Sequence, residues 1–301
     1  MRISLSSLLA KCPVTILALV TTASLTLDAA PPAGWKMVFN DEFDGVELNR
    51  AKWGTTMEFI GTHGQRYHNE YYASYTVDDE IVVHGGQLQL RTDRRNIEGP
   101  EKPHIWEYTQ GLISSHDHFT FTHGYVEIRA KFPGGRGLWP CLWLMPQSQG
   151  WPPEFDIAEY YAGQKTMHHG LAYGGLYNSA WDSLWDRTTD FESDFHTYAL
   201  EWMPGRAVWT MDGVVRKTIT AEYVPNVPMY LILSNSVSSI SGPSGEPDEE
   251  TVFPNAFLID YVRVYQPAPP VETVLVKNEA TPAPEAVVLP PAALIFPAPV
   301  P

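Results

Sequence analysis

Ile81-Val82-Val83-His84-Gly85-Gly86-Gln87-Leu88-Gln89-Leu90 is the stretch that sets the class of fold. Two short apolar runs flank a Gly85-Gly86 pair, and glycine at both central positions suits the two-residue turn of a tight hairpin. Leu88 and Leu90 alternate with glutamines, which is the period of two that a half-buried strand requires. Comparable strand signals recur at Tyr125 to Phe132, Leu138 to Leu144, Phe155 to Tyr161, His196 to Trp202, Ala207 to Met211, Met229 to Ser234 and Phe257 to Tyr265. Turn pairs such as Pro204-Gly205 and Asp212-Gly213 punctuate them. No stretch carries a long amphipathic helical pattern, so the chain is expected to be all-β, with its short strands in a two-sheet sandwich.

The ends differ from this middle. Arg2 and Lys11 precede an apolar run from Pro13 to Leu27, and Ala29 and Ala30 follow it as small residues for cleavage. A signal peptide over residues 1–30 is therefore expected, and with it a secreted, extracellular protein with no membrane attachment after processing. From Gln266 to Pro301 the composition turns to Pro, Ala and Val, which denies regular hydrogen-bonding ladders and predicts a tail at 266–301. One large domain over 31–265 lies between them, expected as a monomer.

A net charge of −15 with no extended basic run excludes nucleic acid as a natural partner and disfavours sulfated or uronic polymers. Cys12 falls in the apolar leader, leaving Cys141 without an intrachain partner once the leader is removed. His116, His118 and His123 lack the Cys or carboxylate that would complete a transition-metal spacing. The 10 Trp and 15 Tyr either fill a core or form flat platforms for sugar rings.

The chemistry concentrates between Trp151 and Tyr161, where Glu154, Asp156 and Glu159 interrupt an apolar and aromatic strand. In a plain strand Glu154 and Asp156 share a face and Glu159 points away. One extra residue, a β-bulge around Ile157 and Ala158, returns Glu159 to the face of the other two. The two glutamates then stand about four strand steps apart, ~13 Å between Cα atoms. Long side chains leaning together over a concave sheet bring such carboxyl groups to the ~5–5.5 Å of a retaining glycosidase. Stacked like charges repel, which argues against an idle acidic face.

With this segment the chain resembles glycoside hydrolase family 16, whose catalytic strand reads Glu-x-Asp-x-Glu or, bulged, Glu-x-Asp-x-x-Glu. The resemblance runs from Phe39 to Tyr265 through Asp41-Glu42-Phe43, Gly137-Leu138-Trp139-Pro140, Glu201-Trp202 and Asp260-Tyr261-Val262-Arg263-Val264-Tyr265. It implies a bent, concanavalin-like β-jelly roll with a concave cleft and no cofactor for catalysis. By the same resemblance Glu154 is the nucleophile, Asp156 its assistant and Glu159 the general acid and base.

It further implies cleft positions for Trp139, Trp143 and Trp151, with core packing the competing role, and for Asn69 and Glu70, whose loop polarity is an equal account. His168 matches an imidazole on the strand after the catalytic one, although a one-residue shift favours His169; Ala172 stands where a second is common. A structural Ca²⁺ is implied at Glu42, Gly86 and Asp260, unless Asp260 simply pairs with a neighbour. Trp-Pro before the catalytic strand is similar to laminarinase-type enzymes, so a neutral β-linked polysaccharide, β-1,3-glucan or mixed-linkage β-glucan, is the expected substrate. An agarase-type β-galactan hydrolase, a transglycosylase and a non-catalytic carbohydrate-binding sandwich are the alternatives.

Overall fold

In the computed structural model, residues 31, 33–56, 69–99 and 105–268 are described. The expected signal peptide lies outside them, as does the tail beyond Ala268. Strands β1 Trp35–Asp41, β2 Ser74–Thr76, β3 Ile81–Val83, β4 Leu88–Asp93, β5 Ile97–Glu98 and β6 Ile105–Trp106 come first. There follow β7 Tyr108–Gln110, β8 Leu112–Ser114, β9 Gly124–Lys131, β10 Leu138–Pro146, β11 Glu154–Tyr161 and β12 Thr166–Tyr173. The last are β13 Ala180–Asp186, β14 His196–Met203, β15 Arg206–Met211, β16 Val214–Thr220, β17 Met229–Val237 and β18 Asn255–Pro267. The helical content among the described residues is two short 3₁₀ turns, none able to cross a membrane.

Two antiparallel-dominated sheets form the expected sandwich, one ten-stranded and one six-stranded in the order β13-β12-β11-β10-β17-β8. The predicted hairpin is β3 and β4, with Gly85 and Gly86 both at positive φ, where glycine alone is free of strain. Strand β18 continues two residues past the expected domain end because Gln266 and Pro267 pair with Lys36 and Trp35 of β1. Proline is tolerated at such a strand terminus.

Alternation in the six-stranded sheet separates two apolar faces. Leu138, Leu142 and Leu144 of β10 and Leu231 and Leu233 of β17 enter the main core between the sheets. Cys141, Trp143, Met145, Tyr230 and Ile232 point the other way and form a smaller cluster under Trp151. Burial on both faces gives these central strands near-continuous apolar runs.

Candidate active site

Strand β11 carries the predicted bulge. Its register against β10 skips Ile157, and against β12 it shifts between Asp156 and Glu159. Phe155, Ile157, Ala158 and Tyr160 all enter the main core. Two successive core residues, Ile157 and Ala158, are what the extra residue produces, and Glu154 and Glu159 consequently open onto one cleft.

That cleft, about 810 Å³, crosses the outer face of β10, β11, β12 and β13 and is closed on one side by Asn69, Tyr71 and Tyr72. The Trp151 indole donates from Nε1 to Glu154 Oε2 at 2.6 Å, and Trp139 Nε1 donates to Glu159 Oε1 at 2.8 Å. Trp139 in turn packs against Tyr72, ring centroids 4.8 Å apart. Each glutamate is thus held by an indole that also walls the cleft. Trp143 is almost wholly buried, a floor residue belonging to the smaller core cluster.

His168, not His169, is the imidazole of the site. Its Nδ1 lies 2.8 Å from Glu159 Oε2 and 3.2 Å from Asp156 Oδ2, and carboxylates only accept, so Nδ1 carries the proton. Nε2 lies 2.8 Å from Ser183 Oγ, and Trp185 stacks on the ring at 4.4 Å. His169 faces the core, its Nδ1 2.6 Å from the carbonyl of Ile157. Ala172 pairs with Glu154 across the strands, so no second imidazole reaches the cleft from that position.

Burial and the neighbouring charges raise Glu154 well above the ordinary carboxylate range, and Asp156 to about 6. The contact between these two carboxyls raises Glu154 and lowers Asp156, as expected when Glu154 holds a proton directed at Asp156. For His168, burial works against the charge, but the hydrogen bonds and charges of Asp156 and Glu159 outweigh it and carry the ring to about 10. Burial lowers His169 to about 4, partly opposed by its bond to Ile157. Nitrogen-15 NMR of the imidazoles should therefore find His168 doubly protonated at pH 7 and His169 a neutral Nδ1–H tautomer. A neutral His168 at pH 7 would contradict the charge balance described.

Asn69 lines the cleft, whereas Glu70 does not. It sits exposed on a turn whose backbone oxygen accepts from Ser239 Oγ, and it borders a neighbouring depression with Trp106 and Glu246. Trp181, Ser183 and Trp185 of β13 are cleft residues that the sequence reading missed. Their spacing of two was the available signal.

On the opposite sheet Glu42, Asp44, Gly86 and Asp260 line one pocket of about 420 Å³ with Arg129 and Arg263. Arg129 holds Asp260 Oδ2 at 2.6 Å, and Arg263 grips the Glu42 carboxylate at 3.0 and 2.8 Å. The neighbour pairing weighed for Asp260 is therefore present. A Cβ on Gly86 would lie 3.8 Å from Asp44 Oδ1, and the lining brings three carboxylates together without sulfur or imidazole. Oxygen ligands suit a hard cation, while the Glu42 and Asp260 side chains are engaged by Arg263 and Arg129.

A family model described as glycosyl hydrolases family 16 matches residues 57–251. The beta-glucanase of Rhodothermus marinus is 29% identical over 262 residues, which is 79% of this chain and 87% of that protein. The keratan-sulfate endo-1,4-beta-galactosidase of Sphingobacterium multivorum is 27% identical over 266 residues, 82% of this chain but 58% of that one. Among solved structures, the endo-beta-1,3-glucanase from Pyrococcus furiosus superposes with a TM-score of 0.65 at 28% identity, covering 77% of this chain and 94% of that one.

Proposed function

The chain belongs to glycosyl hydrolases family 16, and from that premise we propose an endo-acting, retaining β-glucanase acting on β-1,3-linked or mixed-linkage glucan. The observation that carries the proposal is the bulged strand β11, which presents Glu154 and Glu159 to an aromatic cleft running across four strands. A groove that crosses the sheet admits the middle of a polymer. Among the described residues no Lys or Arg lines it, which favours a neutral polysaccharide over a sulfated one.

In this proposal Glu154 passes its proton to Asp156 and attacks the anomeric carbon, while Glu159, handed the Nδ1 proton of the His168 imidazolium at 2.8 Å, protonates the departing glycosidic oxygen. A glycosyl ester on Glu154 and a shortened polymer result. Water, deprotonated by Glu159, then displaces Glu154; Asp156 returns its proton to Glu154 and Glu159 passes the one it gained back to His168. The chemistry uses carboxylates alone and takes no cofactor. Assays for new reducing ends on laminarin, mixed-linkage glucan and agarose test the proposal. Release from the glucans supports it, and cleavage of agarose alone would replace it with β-galactan hydrolysis, the direction in which the Sphingobacterium relative points.

Two further elements belong to the same proposal. Export should leave a mature chain that begins between about Ser24 and Pro32, and exported protein still starting at Met1 would refute it. Ca²⁺ would be held by oxygens of Glu42, Gly86 and Asp260, remote from the cleft. An ion at a hundred times its Kd stabilises the native state by about 2.7 kcal/mol. For a domain of this size that is about 5–10 °C in Tm, lost on chelation. An unchanged Tm in chelator, with no calcium by elemental analysis, would exclude the ion.

A further inference from the structure

The bulge that brings Glu159 into the cleft is held by two ring N–H groups from outside the catalytic strand. Ile157 has a register partner on neither β10 nor β12. His169 Nδ1 takes the Ile157 carbonyl at 2.6 Å. Trp209, on β15 of the facing sheet, reaches across the core and donates from Nε1 to the carbonyl of Asp156 at 2.8 Å. Both rings are fully buried, and Trp209 packs on Phe155 with centroids 5.8 Å apart.

His169 is a costly choice for a core position. Its Nε2 is buried and has no hydrogen-bond partner among the described residues. An apolar side chain would avoid that loss, but would take from the buried Ile157 carbonyl the donor it has in His169. The imidazole is therefore best explained by the one bond it makes.

That bond bears on the chemistry through register. Side chains alternate with period two, so a slip of one residue at the bulge would turn Glu159 from the cleft into the core. Holding the two successive carbonyls fixes where the extra residue sits, and hence how far Glu159 stands from Glu154. We propose that His169 and Trp209 are positioning residues that set the spacing of the two glutamates by clamping the bulge. The proposal rests on the assignment of those glutamates as the reacting pair.

Variants of His169 and Trp209, each checked for cooperative unfolding, test it with kcat and KM measured separately on laminarin oligosaccharides. His169→Leu, which removes the donor, should lose about 100-fold in kcat with KM within about twofold, because misplacement by about 1 Å costs rate rather than binding. His169→Asn, whose Nδ2 lies near the position of the imidazole Nδ1, should recover about tenfold of that loss. Trp209→Phe keeps a packed ring and drops the N–H, so it should show the same kcat-selective loss and carries the test if His169→Leu does not fold. A folded variant lacking either donor with kcat within about twofold of the parent would overturn the clamp.

Amide hydrogen exchange at Ala158 and Glu159 reads the clamp independently of turnover. It should quicken about tenfold or more in both donor-free variants. If the parent hydrolyses no glucan the functional proposal fails, and unaltered exchange at these amides would then overturn the clamp by itself.

Discussion

Glu154→Gln is expected to reduce turnover by on the order of 10⁵-fold, the scale on which removal of a nucleophile is felt. A neutral amide cannot form the glycosyl ester. Binding should survive, because the amide still accepts from Trp151 Nε1, which lies 2.6 Å from Glu154 Oε2. Steady-state rates beside oligosaccharide affinity check both halves, and full activity in the variant would remove Glu154 from the mechanism. Asp156→Asn should be milder, since it disturbs the handover of a proton rather than the bond itself. Burial and neighbouring charge raise both Glu154 and Asp156, the latter to about 6. The parent enzyme should accordingly lose activity on the acid side near pH 6, above the ordinary carboxylate range, as Asp156 takes up a second proton for the pair and can no longer accept the one on Glu154.

Glu159→Ala is expected to cost about 10²–10⁴-fold on polysaccharide, the usual contribution of a general acid and base. The loss should divide into two repairable parts. A substrate with an activated leaving group needs no proton and should recover formation of the glycosyl enzyme. Added azide should then recover its breakdown, since a small anion attacks without a base and fits the space left by the side chain. The azide product should be the β-glycosyl azide. Failure of both rescues in a variant that still binds oligosaccharide would place the acid elsewhere. His168 bonds Glu159 at 2.8 Å and would lose that partner, so the variant should also show a His168 that titrates lower than about 10.

The bulge is legible in the sequence because β11 offers a contradiction that one extra residue resolves. Plain alternation buries Glu159, whereas an insertion at Ile157 and Ala158 buries two apolar side chains instead. The hairpin at Gly85-Gly86 was legible for a similar local reason. His168 is preferred over His169 by the resemblance alone, because the register of β12 depends on how the bulge in β11 is accommodated, and His168 is the one that lines the cleft. Strand β13 escaped because its Trp181 and Trp185 face the cleft, about half exposed, so its apolar period marks a binding surface rather than a core. The Arg129–Asp260 and Arg263–Glu42 pairs join residues 131 and 221 positions apart, a proximity that only the sandwich creates. Trp209 is the same kind of residue: an apolar strand position by its pattern, with its indole N–H spent on the opposite sheet.

All of these assignments meet in one stereochemical result. If Glu154 attacks from one face and water later displaces it from the opposite face, two inversions return the anomeric centre to its starting configuration. Proton NMR of the first product, recorded before mutarotation, should show the β anomer. A first product in the α configuration would contradict the double displacement on Glu154.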